Sequence, residues 1–200
     1  MIHNIIFDLG NVLLNFKPLE YLTQKVSDLE LVNDLYQQIF CSEEWVMLDR
    51  GVITIEEAIK RICLRNPEKV KLIEEILYDW EKILTPIEGS VEILRQLKEK
   101  NFNLYVLSNF HLRAFEKVST ENEFFQLFDG MIISAKVRYL KPEPEIYQYL
   151  IEHFKIDPER TIFIDDTREN LDAAKKFGIK TIHFISSSDL CQELKKLKVL

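Results

Sequence analysis

Short apolar runs that alternate with helical periods fill the second half of the chain, and one more such run opens it. This alternation restricts the fold more than any other feature of the sequence. Residues 2–7 form an apolar run closed by Asp8 and a Gly10-Asn11 turn, the pattern of a buried strand. Residues 103–107, 130–133, 161–164 and 180–185 are similarly short and similarly rich in apolar and β-branched side chains. Helical periods cover residues 88–100, 144–154 and 168–177, the last stopped by Gly178. Strands alternating with helices pair in parallel and are covered on both faces, so an α/β fold with a parallel five-stranded sheet is predicted. Ligands of such sheets bind outside the carboxyl ends of the strands. Asp8, Ser108-Asn109 and Asp165-Asp166 all fall there.

One connection breaks the alternation: about ninety residues separate the first two strands, whereas a βαβ unit needs only ~30. Helical periods run through this insertion over residues 19–26, 28–40, 54–65 with Thr54 as cap, and 67–84 with Pro67 in the first turn. The expected organisation is a core domain of residues 1–16 and 86–200 carrying a small helical-bundle cap domain of residues 17–85. Beyond the core strands, Phe124, Phe125 and Phe128 read as packing under a loop, and residues 193–198 as a solvated C-terminal helix.

Charge narrows the partners. Lys and Arg total 26 against 33 Asp and Glu, a net charge of −7, which argues against a nonspecific grip on nucleic acid or an anionic membrane. A small anionic ligand then needs a local cluster of donors. Cys41, Cys63 and Cys191 are scattered in neither metal-ligand nor disulfide spacing. No run approaches the ~20 apolar residues of a membrane span, and a cytoplasmic protein is expected.

Four short motifs carry the chemistry. In the first, Phe7-Asp8-Leu9-Gly10-Asn11-Val12, a carboxylate stands at a strand end, although an ordinary turn has the same look. The second, Leu107-Ser108-Asn109, offers a hydroxyl and backbone N–H groups, or simply a turn or helix cap. The third is Lys141-Pro142-Glu143-Pro144, in which Pro144 can open a helix and Lys141 is held extended. The fourth, Asp165-Asp166-Thr167-Arg168-Glu169-Asn170, is the most telling, because adjacent carboxylates at the end of a buried strand repel unless a cation or a lysine compensates them. Mg2+, a hard cation that takes oxygen ligands, suits them.

In this order, and at these strand ends, the motifs resemble those of the haloacid dehalogenase superfamily, with the helical insertion in the position of its cap between the first and second motifs. Within it, Phe-Asp-Leu-Gly-Asn-Val and Lys-Pro-Glu-Pro-Glu-Ile-Tyr are similar to a branch of bacterial sugar-1-phosphate phosphatases, related to the N-terminal phosphatase domain of soluble epoxide hydrolase. The resemblance implies a Rossmann-like core and a Mg2+-dependent phosphatase acting on a small phosphorylated metabolite, such as a sugar phosphate. It makes Asp8 the nucleophile that becomes phospho-aspartate, and Asp8, the Gly10 carbonyl and Asp166 the metal ligands. Ser108, the Asn109 backbone and Lys141 would bind phosphate, with Lys141 also neutralising Asp8. Asp165 would orient Lys141, and Asn170 would support the waters on the metal.

The chain departs from that pattern at Gly10, where most phosphatases of the family carry an aspartate that acts as general acid and then base. Positioned acid/base catalysis is typically worth ~10²–10⁴ in rate. Three outcomes follow, in order: a phosphatase with another proton donor or an easy leaving group; a slow or inactive phosphate-binding regulator; a carbon–halogen hydrolase, for which the acidic pair is superfluous. A substitute donor is sought at His111, otherwise a first-turn helix residue, and in the stretch 43–51 of the cap. There Trp45, Asp49 and Arg50 are candidates to reach the substrate, against a plainer role for Trp45 in the cap core and Asp49 and Arg50 as a solvated pair. A receiver domain, the nearest non-enzyme alternative, would be shorter, lack a cap and keep its acidic pair near the first strand.

Overall fold

The computed structural model describes residues 1–200. Five strands, β1 (Asn4–Phe7), β2 (Asn103–Ser108), β3 (Gly130–Ile133), β4 (Thr161–Asp165) and β5 (Lys180–His183), form one parallel sheet in the order β3-β2-β1-β4-β5. β1 is central, with Phe7 in register with Val106 on one side and Ile164 on the other. The chain returns across the sheet between β3 and β4, so the β1/β4 boundary is the switch point where α/β sheets open a crevice.

Side chains of period two divide the core. Ile5 and Phe7 join Val106, Ile162 and Ile164 on one face, while Ile6 joins Leu107, Phe163 and Tyr147 on the other. The second face is covered by helices α9 (Pro144–Phe154) and α10 (Arg168–Lys175), whose Ile146, Leu150, Leu171 and Ala174 pack there. The first face is covered by α6 (Glu88–Glu99), α7 (Leu112–Glu121) and α11 (Ser187–Lys196), and the short α8 (Ser134–Val137) follows β3. α11 is therefore not simply solvated: Leu190 and Leu194 are buried. Phe124 and Phe125 are buried within a short 3-10 turn, Glu123–Leu127.

The insertion is helical throughout, in α1 (Pro18–Lys25), α2 (Leu29–Leu35), α3 (Glu43–Asp49), α4 (Ile55–Arg65) and α5 (Val70–Asp79). Two expected helices are broken: residues 28–40 end in a wide π turn, Tyr36–Phe40, and residues 67–84 begin and end in 3-10 turns. α3 was not anticipated as a helix, although its signals are ordinary. Ser42 Oγ accepts a hydrogen bond from Trp45 N at 3.1 Å, and Glu43 and Glu44 complement the helix dipole. Tyr21, Leu35, Ile62, Ile73 and Leu77 belong to the same apolar cluster as Ile5 and Phe7, so the insertion is continuous with the core. No helix is long and apolar enough to cross a membrane.

Candidate active site

Parallel register brings the four motifs to one end of the sheet. Asp8 leaves β1 with its N–H donating to Ile164 O at 2.9 Å. Lys141 Nζ lies 2.8 Å from Asp8 Oδ1 and 2.7 Å from Asp165 Oδ2, and the lysine side chain is 2% exposed. Asn109 holds that lysine by its backbone: its side chain accepts from Lys141 N at 2.8 Å and donates to Lys141 O at 2.9 Å. Ser108 is buried at the end of β2. Burial alone would lower the Lys141 pKa, but the charges of Asp8 and Asp165 raise it on balance, so the ammonium persists. Burial pushes Asp8 up to about 6, against the pull of Lys141, with Asp165 adding to the rise.

Asp165 is fully buried and already satisfied. Its oxygens accept from Thr167 N at 2.8 Å, from Asn170 Nδ2 at 3.1 Å and from Lys141 Nζ. The Asn170 amide, expected to face waters on a metal, is thus turned onto Asp165. Asp166 is held from two sides, by Asn11 Nδ2 at 3.1 Å and Thr167 Oγ at 3.2 Å. Asn11 was not singled out from sequence. It sits at φ 54 and also accepts from Phe16 N at 3.1 Å, a left-handed position that asparagine tolerates and that its place after Gly10 could have suggested. His183 donates from Nε2 to Asp166 O at 2.9 Å.

These contacts test the fit of a cation. One oxygen each of Asp8, Asp165 and Asp166 lies within 4.8 Å of the others. Asp8 Oδ1 is buried with no aligned hydrogen-bond donor, despite the nearby ammonium. Such an orphaned oxygen on a carboxylate whose pKa is raised suits a hard cation, which would lower that pKa again. Asp165 is engaged elsewhere, which leaves Asp8 and Asp166 as the carboxylates of that cluster that fit.

The insertion closes the site from above. Trp45 packs against Phe16, Phe40 and Trp80 and is buried, in keeping with the plainer expectation of a cap-core residue. Arg50 does not reach toward the substrate position. Its guanidinium donates to Glu143 at 3.0 Å and to Arg138 O at 3.2 Å, tying the insertion to the third motif because a bidentate carboxylate lies within its reach. Asp49 is not a solvated partner of Arg50 either. Its side chain is 18% exposed and lies 3.3 Å from Nε2 of the buried His111, without the alignment of a hydrogen bond. His111 caps the start of α7, with its ring 4.2 Å from that of Trp45 and 5.2 Å from that of Trp80. Burial pushes His111 down to about 3. Burial and then the charge of Asp8 push Asp49 up to about 8, against Lys141. At neutral pH this is a contact between a carboxylic acid and a neutral imidazole, not an ion pair.

A cavity of about 80 Å³ lies between the two sides, lined by Gly10, Asn109, Trp45, Asp49, Trp80 and His111 among others. Trp80 and His111 also line a larger cleft of about 480 Å³. A Cβ added to Gly10 would meet nothing within 4 Å, and its φ is not left-handed, so glycine is not imposed there by crowding or backbone.

Residues 2–178 match the model of the haloacid dehalogenase-like hydrolases. The chain belongs to that family. This hydrolase is 27% identical over 192 residues to the sesquiterpene phosphatase astK of Aspergillus oryzae, covering 96% of this chain and 94% of the relative. It is 26% identical over 208 residues to the D-ribitol-5-phosphate phosphatase of Bacteroides thetaiotaomicron, covering 97% of each. Among solved structures it is similar to a family enzyme from Bacteroides thetaiotaomicron in complex with magnesium and inorganic phosphate. That match has a TM-score of 0.74 at 24% identity and covers 93% of this chain and 96% of the other.

Proposed function

We propose that this hydrolase is a Mg2+-dependent phosphatase that removes phosphate from a small phosphorylated metabolite through a phospho-aspartate on Asp8. The observation that carries the proposal is the Asp8 carboxylate at the sheet's switch point, 2.8 Å from a buried lysine and clustered with Asp165 and Asp166. Asp8 attacks phosphorus, Lys141 neutralises charge on the nucleophile and the phosphoryl oxygens, and Ser108 with the Asn109 N–H binds those oxygens. Asp165, with Asn170 behind it, keeps the lysine aimed. Asp8, the Gly10 carbonyl and Asp166 would hold Mg2+, which when bound supplies positive charge against the transferring phosphoryl group. A carbon–halogen hydrolase would have no use for Asp166. The free cysteines agree with a reducing, cytoplasmic setting.

A sugar phosphate is the first substrate class, supported by the ribitol-phosphate relative and by the first and third motifs. A second class has its own support: Phe16, Trp45, Trp80, Leu84 and Phe110 make the cavity wall largely apolar. That wall suits a hydrocarbon ester such as the terpenyl phosphate that the name of the Aspergillus relative suggests. Phosphate release from an aryl phosphate, sugar phosphates and prenyl monophosphates, with Mg2+ and with chelator, tests the proposal and ranks the two classes. Asp8→Asn is expected to abolish release from all of them. A folded wild-type protein that binds Mg2+ and releases phosphate from none would instead be a phosphate-binding regulator.

A further inference from the structure

We propose that Asp49, delivered by the helical insertion, is the catalytic proton donor and acceptor that the chain lacks at Gly10. The inference rests on the phosphatase proposal and names the acid/base residue of the same site. Gly10 and Asp49 line the same small cavity, so a side chain reaching in from α3 can serve the space a side chain at position 10 would have entered. That space is open.

Three consecutive residues fix the carboxyl in place. Ser134 Oγ donates to the Asp49 carbonyl, Arg50 is clamped by Glu143, and Gly51 lies so close to Ala135 that an added Cβ would come within 2.2 Å of its carbonyl oxygen. The end of α3 is therefore bolted to the core, while the Asp49 carboxyl itself makes no hydrogen bond within the chain and stays available. The other acids at the site are engaged: Asp165 by Lys141, Thr167 and Asn170, and Asp166 by Asn11 and Thr167. His111 is the remaining titratable group on the cavity wall, and burial keeps it neutral, so it holds no proton to give beyond the one on its ring. The same burial keeps Asp49 protonated at neutral pH, the state a general acid starts from.

The steps balance. A bond forms from an Asp8 oxygen to phosphorus as the ester P–O bond breaks, and the leaving oxygen takes the carboxyl proton of Asp49. This yields the alcohol, phospho-Asp8 and the Asp49 carboxylate. Water then attacks phosphorus and gives its proton to Asp49, the bond to Asp8 breaks, and inorganic phosphate leaves with both aspartates restored.

Single-turnover kinetics of the full chain with Mg2+ test this, using 4-nitrophenyl phosphate, whose leaving group needs no proton, and ribitol 5-phosphate, whose alkoxide does. Asp49→Asn is expected to slow the first turnover of ribitol 5-phosphate by ~10²–10⁴ and that of the aryl ester by less than ~10-fold. Hydrolysis of phospho-Asp8 should slow for both, leaving a burst of nitrophenol. Gly10→Asp in the Asp49→Asn background should recover at least ~10-fold on the alkyl ester, a rescue that a merely structural role for Asp49 does not predict. Equal slowing of both esters, or slowing of neither, overturns the assignment of Asp49. Turnover that survives Asp8→Asn, or a wild type inert to both esters and to prenyl monophosphates, overturns the phosphatase proposal and the role of Asp49 with it; where only the prenyl ester turns over, it takes the place of ribitol 5-phosphate in the same comparison.

Discussion

The core side and the insertion side of the cavity both bury ionisable groups, by opposite means. On the core side, Lys141 Nζ lies 2.8 Å from Asp8 and 2.7 Å from Asp165, and Asp165 is further satisfied by Asn170 and Thr167. Charge is retained on Lys141 because it lies between two carboxylates, and Asp165 is further held by hydrogen bonds. On the insertion side, Asp49 and His111 share no aligned hydrogen bond, and desolvation drives each toward its neutral form. One side is arranged to hold charge against an anion, the other to hold a proton.

Removing charge from the core side does the greatest damage. Lys141→Met leaves Asp8 and Asp165 facing each other uncompensated, and breaking a buried pair in this way typically costs ~3–5 kcal/mol. Denaturant unfolding in chelator measures it, and a loss below about 1 kcal/mol would mean the cluster is far better solvated than its burial implies. A smaller effect is expected where the two sides are bolted together. Gly51 has φ +69 and abuts Ala135, so Gly51→Ala should cost ~2–3 kcal/mol from left-handed strain and displaced backbone. Gly10→Ala, with open space and an ordinary φ, should be nearly neutral in the same unfolding assay.

A further effect separates protonation on the two sides. Asp49 is raised to about 8, so the folded chain holds a proton there that the unfolded chain releases above its ordinary carboxylate pKa near 4, and stability falls as pH rises toward 8. His111 is lowered to about 3, so its contribution is lost as pH falls from about 6.5 toward 3. Asp8 is raised only to about 6. Between pH 6.5 and 8 the slope from these three groups is therefore mainly that of Asp49, with His111 opposing it weakly near pH 6.5. Wild-type stability in chelator should drop by ~1–2 kcal/mol across that window, and Asp49→Asn should flatten it. A slope unchanged by the substitution would place the titrating proton elsewhere.

The contrast also marks how far the sequence could be read. The core side was legible because its residues are tied to strand ends: once residues 2–7 and 161–164 are strands, Asp8 and Asp165-Asp166 must stand at their carboxyl tips. The insertion side was not, because helix faces and loop docking depend on partners far along the chain. α3 was missed in spite of its Ser42 cap. For Arg50 the sequence leaves a substrate contact and a solvated pair with Asp49 both open, because nothing local reveals Glu143, 93 residues away, as its partner. Asp49 and His111 were each noticed, but as alternatives, and their proximity is a property of the packed interface.

Periodicity, caps and turn residues act over a few residues of chain, and they set the alternating elements, the helical nature of the insertion and the four motifs. The strand order, the clamp of Asn109 on Lys141, the turn of Asn170 onto Asp165 and the burial that holds Asp49 and His111 neutral were decided only by the tertiary structure. Those properties depend on which surfaces exclude water together, and desolvation, unlike helix capping, is set by neighbours in space.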